Sequence, residues 1–163
     1  MIKLYADGSC PRNPGPGGWA FVILEFRHGQ TDMKKARMIE RSGAVKDATN
    51  NTMELQAVIE GLQMLIELGK MDERIACHSD SSYVIKGINE WRRKWKYNKW
   101  RRKDRYGKLV PIANVEQWQL LDRLLDSFPD ATFSWVRGHD GNTYNERCDV
   151  LAGEAVWQLI ESQ

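Results

Sequence analysis

An α/β domain with a five-stranded mixed sheet and helices on both faces is what this sequence predicts. Three observations carry the reading. Apolar alternation at Ile2, Leu4 and Ala6 marks a short strand that runs into the turn Asp7-Gly8-Ser9. Two more stretches rich in β-formers come before any helical periodicity, which implies an antiparallel series 1-2-3. Strands then alternate with helices, the pattern of parallel additions 4 and 5.

Taken in order, residues 10–18 form a loop dense in Pro and Gly, with no Gly-Lys-Ser/Thr to make it a phosphate loop. Residues 19–26 read as the second strand. A polar turn near His28-Gly29-Gln30 leads to a third strand ending near Gly43, although the basic, Met-containing stretch 33–41 also allows a helix. Asn50 or Asn51 is placed to cap a helix, with Glu54 as a capping-box partner for Asn51. Leu55, Val58, Ile59, Leu62, Leu65 and Ile66 follow at helical spacing, and Gly69 closes the helix. Residues 74–81 repeat the first pattern, a short strand ending in Asp80-Ser81. A short helix is expected over 81–90 and a basic helical segment after it. A helix from about Asn114 to Phe128 precedes the fifth strand, 131–136. The polar loop 137–142 then leads to a last helix over about 144–159, with Cys148, Leu151, Ala152, Ala155 and Leu159 facing inward.

At 163 residues, with 42% hydrophobic and 28% charged side chains, the chain reads as one domain, 1–163, large enough to bury a core. It has no apolar run near the ~20 residues of a membrane helix and no signal-peptide core at its start, so no membrane association is expected. Cys10, Cys77 and Cys148, an odd number without CxxC spacing, fit neither a disulfide scaffold nor a zinc site. A reducing cytoplasm is the expected compartment, and a monomer the expected state.

Charge is unevenly distributed. Residues 92–105 hold nine Lys and Arg against one acid, Asp104, a local charge of +8; with +2 for the whole chain, the remainder carries −6. A basic patch on an acidic body calls for a polyanion. Within it, Trp91 and Trp95 are helix-face neighbours, which suits core packing and nucleic-acid contact alike.

Asp7 and Asp80 both end short strands, where open α/β sheets place ligands. Glu54 opens a helix and Asp149 sits beside the apolar stripe of the last one. Taken alone, Glu54 is more simply a dipole-favoured acid at a helix start. Hard oxygen ligands without a thiolate or imidazole cluster select Mg²⁺ or Mn²⁺ over zinc.

Six segments together carry a resemblance: Tyr5-Ala6-Asp7-Gly8-Ser9-Cys10, Asn13-Pro14-Gly15-Pro16-Gly17-Gly18-Trp19, Thr49-Asn50-Asn51-Thr52-Met53-Glu54-Leu55, Ser79-Asp80-Ser81-Ser82-Tyr83-Val84, Val136-Arg137-Gly138-His139 and Asn145-Glu146-Arg147-Cys148-Asp149. The sequence resembles bacterial-type ribonuclease H of the type 1 group, with its basic protrusion at about 90–105. The resemblance implies a ribonuclease H-like fold and an endonuclease that cuts the RNA strand of RNA–DNA hybrids with little sequence specificity. It implies two-metal-ion catalysis leaving 3′-hydroxyl and 5′-phosphate ends, with two Mg²⁺ held by Asp7, Glu54, Asp80 and Asp149 and Mn²⁺ able to substitute. His139 falls on the family's loop histidine near the attacking water or the departing product, and Asp140 beside it is expected to raise its pKa.

The resemblance also places substrate contacts. Asn13 and Thr49 match positions that hold a phosphate of the DNA strand, and Cys10, Asn50 and Asn51 match positions that contact the hybrid. Ser82 stands where relatives carry a glutamine on the substrate. Trp91, Arg92, Arg93, Lys94, Trp95, Lys96, Lys99, Trp100 and Arg101 fall in the protrusion, with Trp91 a candidate for packing on the DNA sugar. A binding module that has lost catalysis, and a resolvase or integrase on the same fold, are the competing readings. Whether a single-strand-binding protein docks on the surface is not legible in the residues.

Overall fold

The computed structural model describes residues 1–138 and 141–163. Among them, the strands are β1 (Ile2–Ser9), β2 (Gly15–Glu25), β3 (Arg37–Ala48), β4 (Ile75–Ser79), β5 (Arg101–Lys103), β6 (Leu109–Pro111) and β7 (Ala131–Trp135). The α-helices are α1 (Asn50–Glu67), α2 (Ser82–Lys86), α3 (Arg92–Tyr97), α4 (Val115–Leu125) and α5 (Thr143–Glu161). The main sheet runs β3-β2-β1-β4-β7, with β1, β2 and β3 antiparallel and both β1–β4 and β4–β7 parallel. The expected five-stranded mixed sheet is therefore the one found, with β7 as its fifth strand.

Alternation along the central strands explains the layers. Leu4, Phe21 and Ile23 pack with Leu55, Val58, Ile59 and Leu62 of α1 and with Trp118 and Leu121 of α4. The intervening residues Tyr5, Ala20, Val22 and Leu24 pack with Cys148 and Ala152 of α5. Both sheet faces are covered, so β1 and β2 are apolar on each side, as buried strands must be. None of the described helices is long and apolar enough to cross a membrane.

Four local expectations need correction. β2 begins at Gly15, before the stretch of β-formers, because its glycine-rich start still pairs with β3 through a bulge between Gly15 and Gly17. The allowed helix at 33–41 reduces to a short 3₁₀ turn, Met33–Lys35, capped by Asp32; beyond it the chain pairs with β2 as far as Ala48. The cap of α1 is Thr49, not Asn50 or Asn51: its side chain accepts from the Thr52 amide, and the Thr52 hydroxyl accepts from the Thr49 amide. Thr52 thus takes the box role expected of Glu54, which is left available for other partners. The helix expected over 81–90 runs as α2 into a π-turn, Gly87–Trp91, and on into α3, with Gly87 buried under Trp118.

Candidate active site

Parallel register brings the two strand-end acids together. Ala6 pairs with Ser79 at the last rung between β1 and β4, so Asp7 and Asp80 are the next residues on adjacent strands. Asp7 is buried, and its Oδ1 accepts from the Gly8 amide at 2.9 Å. Asp80 sits just past its strand. There the Ser81 amide donates to Ser79 Oγ at 3.1 Å, and Ser81 Oγ in turn caps α2.

Glu54 arrives from the first turns of α1, and Gly8 is what allows it. A Cβ at position 8 would lie 2.5 Å from the Met53 carbonyl carbon and 2.6 Å from the Glu54 amide. Only hydrogen in that place lets the helix start close on the end of β1. One oxygen each from Asp7, Glu54 and Asp80 then lies within 4.8 Å of the others. Among the described residues, Glu54 Oε2 is buried with no hydrogen-bond partner.

The electrostatics follow from crowding. Burial, then the charge of Asp80, pushes the Asp7 carboxyl up to about 8, while a hydrogen bond with Glu54 works the other way. Asp149 on α5 adds to the rise at Asp7, which places its charge in the same field. Glu54 is raised well above the carboxylate range, first by burial and then by Asp7 and Asp80. Such a cluster holds protons until a cation replaces them. Asp149 is not one of the three mutually close acids, but it faces the same field from the opposite helix layer. His139 and Asp140 lie outside the described residues.

The expected substrate contacts fall into two groups. Near the start of α1, Asn13 Oδ1 accepts from the Asn50 amide at 3.1 Å, and Pro14, Gly15, Asp47, Ala48, Thr49 and Thr52 line an open cleft of about 370 Å³. Asn50 and Asn51 are exposed on the first turn. Cys10 lies beside this cleft. Its buried thiol points inward to the carbonyls of Gly15, Pro16 and Ala48 at 3.5–3.7 Å, so only its backbone can meet a ligand.

The second group is the protrusion, where α3 and the β5–β6 hairpin enclose a groove of about 830 Å³. Trp91 is 37% exposed at its lip and lies against the rings of Tyr83 and Trp95; Trp95 packs edge-on to buried Trp118 at 5.0 Å. Trp100 is half-buried against the core. Two cations pair with the buried Asp122: Arg92 Nη1 meets its Oδ1 at 2.6 Å and the exposed Lys96 Nζ meets its Oδ2 at 3.0 Å. Arg92 thereby ties α3 to the body of the protein. Arg93, Lys94, Lys99 and Arg101 are exposed, and so is Ser82 at the start of α2. The hairpin itself was not legible, because its strands are three residues each, one all charged (Arg101–Lys103) and the other ending in proline (Leu109–Pro111).

Three residues that shape the site escaped the sequence reading. Gly8 looked like an ordinary turn glycine. Gly138 carries no chemistry, yet a Cβ there would lie 2.8 Å from Asp80 Oδ2. Trp135 lies at the end of β7, and its indole Nε1 donates to the Asp80 carbonyl at 2.9 Å. The available signal was topological: a strand parallel to the one ending at Asp80 must end beside it.

This is a mixed α/β protein whose carboxylates from two parallel strand ends and a helix start form one acidic site. The RNase H family model matches residues 1–157. Ribonuclease H of Rhodopirellula baltica is 46% identical over 98% of this chain and 92% of its own length, and that of Treponema pallidum subsp. pallidum is 39% identical over 99% and 94%. Among solved structures, LC9-RNase H1, a type 1 RNase H with the type 2 active-site motif, superposes with a TM-score of 0.81 at 28% identity, covering 96% of this chain and 72% of that one. LC11-RNase H1 in complex with RNA/DNA hybrid gives a TM-score of 0.72 at 23% identity over 98% and 99%, and shares the fold. The chain belongs to the ribonuclease H family.

Proposed function

We propose that this chain is a metal-dependent endoribonuclease that hydrolyses the RNA strand of RNA–DNA hybrids, leaving 3′-hydroxyl and 5′-phosphate ends, with 1–163 as one catalytic domain. The observation that carries the reading is the convergence of Asp7, Glu54 and Asp80 within 4.8 Å in a member of this family. Solved relatives with bound RNA/DNA hybrid support the substrate.

The residues fit a divalent ion. Every donor is a hard oxygen, and the buried, unpartnered Glu54 Oε2 is an acceptor waiting for a cation. Asp7, Glu54, Asp80 and Asp149 would hold two Mg²⁺, with Mn²⁺ able to substitute. When bound, such ions supply an activated water and neutralise charge on the leaving oxygen of an in-line displacement. The chain's own part is to release the protons shared by Asp7 and Glu54 and to hold the acids on strand ends and a helix start that cannot drift apart. The Gly8 amide fixes the Asp7 carboxylate. His139 serves as the proton carrier near the attacking water, since imidazole titrates near ~6.5.

Substrate choice rests on groups that read backbone, so sequence preference is weak. Thr49 and Asn13 border the cleft for a DNA phosphate. The backbone at Cys10 and the side chains of Asn50, Asn51 and Ser82 line the approach to the 2′-hydroxyls that distinguish RNA. Trp91 packs on the DNA sugar, and Arg93, Lys94, Lys99 and Arg101 meet phosphates beyond it. Lys96, Trp95 and Trp100 mainly hold the protrusion in place. The protein acts as a monomer in the cytoplasm; its three cysteines are free and buried, as a reducing compartment allows.

The test is strand-resolved cleavage. With Mg²⁺, labelled hybrid should be cut in its RNA strand alone, duplex DNA and duplex RNA should survive, and EDTA should stop the reaction. Cutting of duplex DNA at a comparable rate would replace this reading with a resolvase-type activity.

A further inference from the structure

We propose that Trp135 is a positioning residue for the Asp80 carboxylate and thereby sets the affinity of the acidic site for its divalent ions. The inference rests on the metal-site reading above and adds a residue to it. Asp80 occupies a gap in the backbone pairing. The β4–β7 ladder ends at the Ser79–Trp135 rung, and one further amide, that of Val136, donates to the Ser79 carbonyl at 2.9 Å. α2 begins at Ser82 with Ser81 as its cap, so the first helical amides reach back to Ser81. The Asp80 carbonyl falls between the two systems: the 80–81 peptide is held on its N–H side, where the Ser81 amide donates to Ser79 Oγ at 3.1 Å, and among the described residues no strand or helix bond reaches its carbonyl side.

The indole of Trp135 fills that gap. Its Nε1 donates to the Asp80 carbonyl at 2.9 Å from a side chain that is 50% exposed. Half of the indole packs on the protein, but its exposed part leaves the N–H free to bond water if the carbonyl were not there. The bond is therefore not one that burial demands. What it does is hold the 80–81 peptide, and with it the direction in which the Asp80 side chain leaves the backbone. Gly138 lies close on the other side and, lacking a side chain, leaves the carboxylate its room, since a Cβ there would stand 2.8 Å from Asp80 Oδ2. A metal ligand whose backbone is held in this way keeps its aim when the ion is absent, and groups that orient ligands are worth about tenfold or more in metal affinity.

Replacing Trp135 by 3-benzothienylalanine keeps the ring's shape and removes only the N–H donor; Trp135→Phe is the genetically simple companion. Calorimetric titration with Mg²⁺ alone, without nucleic acid, should show affinity falling roughly tenfold in both variants, with melting temperature unchanged in the isostere. Hybrid cleavage should fall at low Mg²⁺ and recover at high Mg²⁺, with KM for the hybrid within about twofold of the parent. Unchanged Mg²⁺ affinity in the isostere would overturn the proposal, and a raised KM beside it would make the ring a substrate contact instead. If parent and Asp7→Asn bound Mg²⁺ alike, the carboxylate-site reading itself would fall, and this inference with it.

Discussion

Gly8 and Asp7 show how much of this site depends on single atoms. A methyl group at position 8 would meet the backbone of Met53 and Glu54 at 2.5–2.6 Å, with no flexible side chain to give way. Gly8→Ala should therefore push α1 away from β1, costing roughly 1–3 kcal/mol in urea unfolding. Mg²⁺ affinity should drop further than that loss alone would imply, because Glu54 moves with the helix. Asp7 sets the pH response. Its folded carboxyl titrates at about 8 against an ordinary value of 3.8, so between those values the folded metal-free chain holds a proton that the unfolded chain does not. Stability of the metal-free protein should fall as pH rises from 5 to 8. Asp7→Asn should flatten that slope, and a slope equal to the parent's, followed by thermal melts in EDTA, would contradict the assignment. The acids were legible in the sequence because each ends or starts an element with a clear apolar period. Gly8 was not, since a close approach between distant elements leaves no local pattern.

At the scale of elements, the protrusion divides its cations between anchoring and reach. Arg92 and Lys96 both pair with the buried Asp122. Arg92→Ala would leave that carboxylate with Lys96 alone and should destabilise the protein by roughly 1–3 kcal/mol while leaving the salt dependence of hybrid binding nearly intact. Neutralising Arg93, Lys94, Lys99 and Arg101 should do the reverse. KM rises, kcat holds, stability is unchanged, and the slope of log KM against log salt loses about one unit per cation that reaches a phosphate. An unaltered KM at low salt would show that these side chains do not touch the substrate. The sequence displayed the charge run but not its division, because ion pairing across 30 positions has no periodic signature. It also hid the π-turn at Gly87–Trp91, where one extra residue shifts the helix so that Trp91 and Trp95 stack toward Tyr83 and Trp118. The misplaced cap of α1 has a simpler cause: Thr49, Asn50 and Asn51 are all competent caps, and tertiary packing chose among them.

For the whole molecule, the order of strands and helices followed from the change of period along the chain, from alternation in the first three strands to helical spacing in α1, α4 and α5. Strand order in space needed the helices as well, since parallel pairing of β1, β4 and β7 is what places Asp7 beside Asp80. The site is thus a property of the fold, with acids contributed from positions 7, 54, 80 and 149 of the sequence. These carboxylates, loaded with divalent ions, perform the cleavage. The most direct measurement is cleavage of an RNA-labelled hybrid by the parent and by Asp7→Asn, side by side, at saturating substrate across a Mg²⁺ titration. RNA-strand cleavage should rise with Mg²⁺ in the parent, and kcat should be lower by at least about 10³-fold in the variant, with hybrid binding retained. Comparable kcat in the two proteins would contradict it.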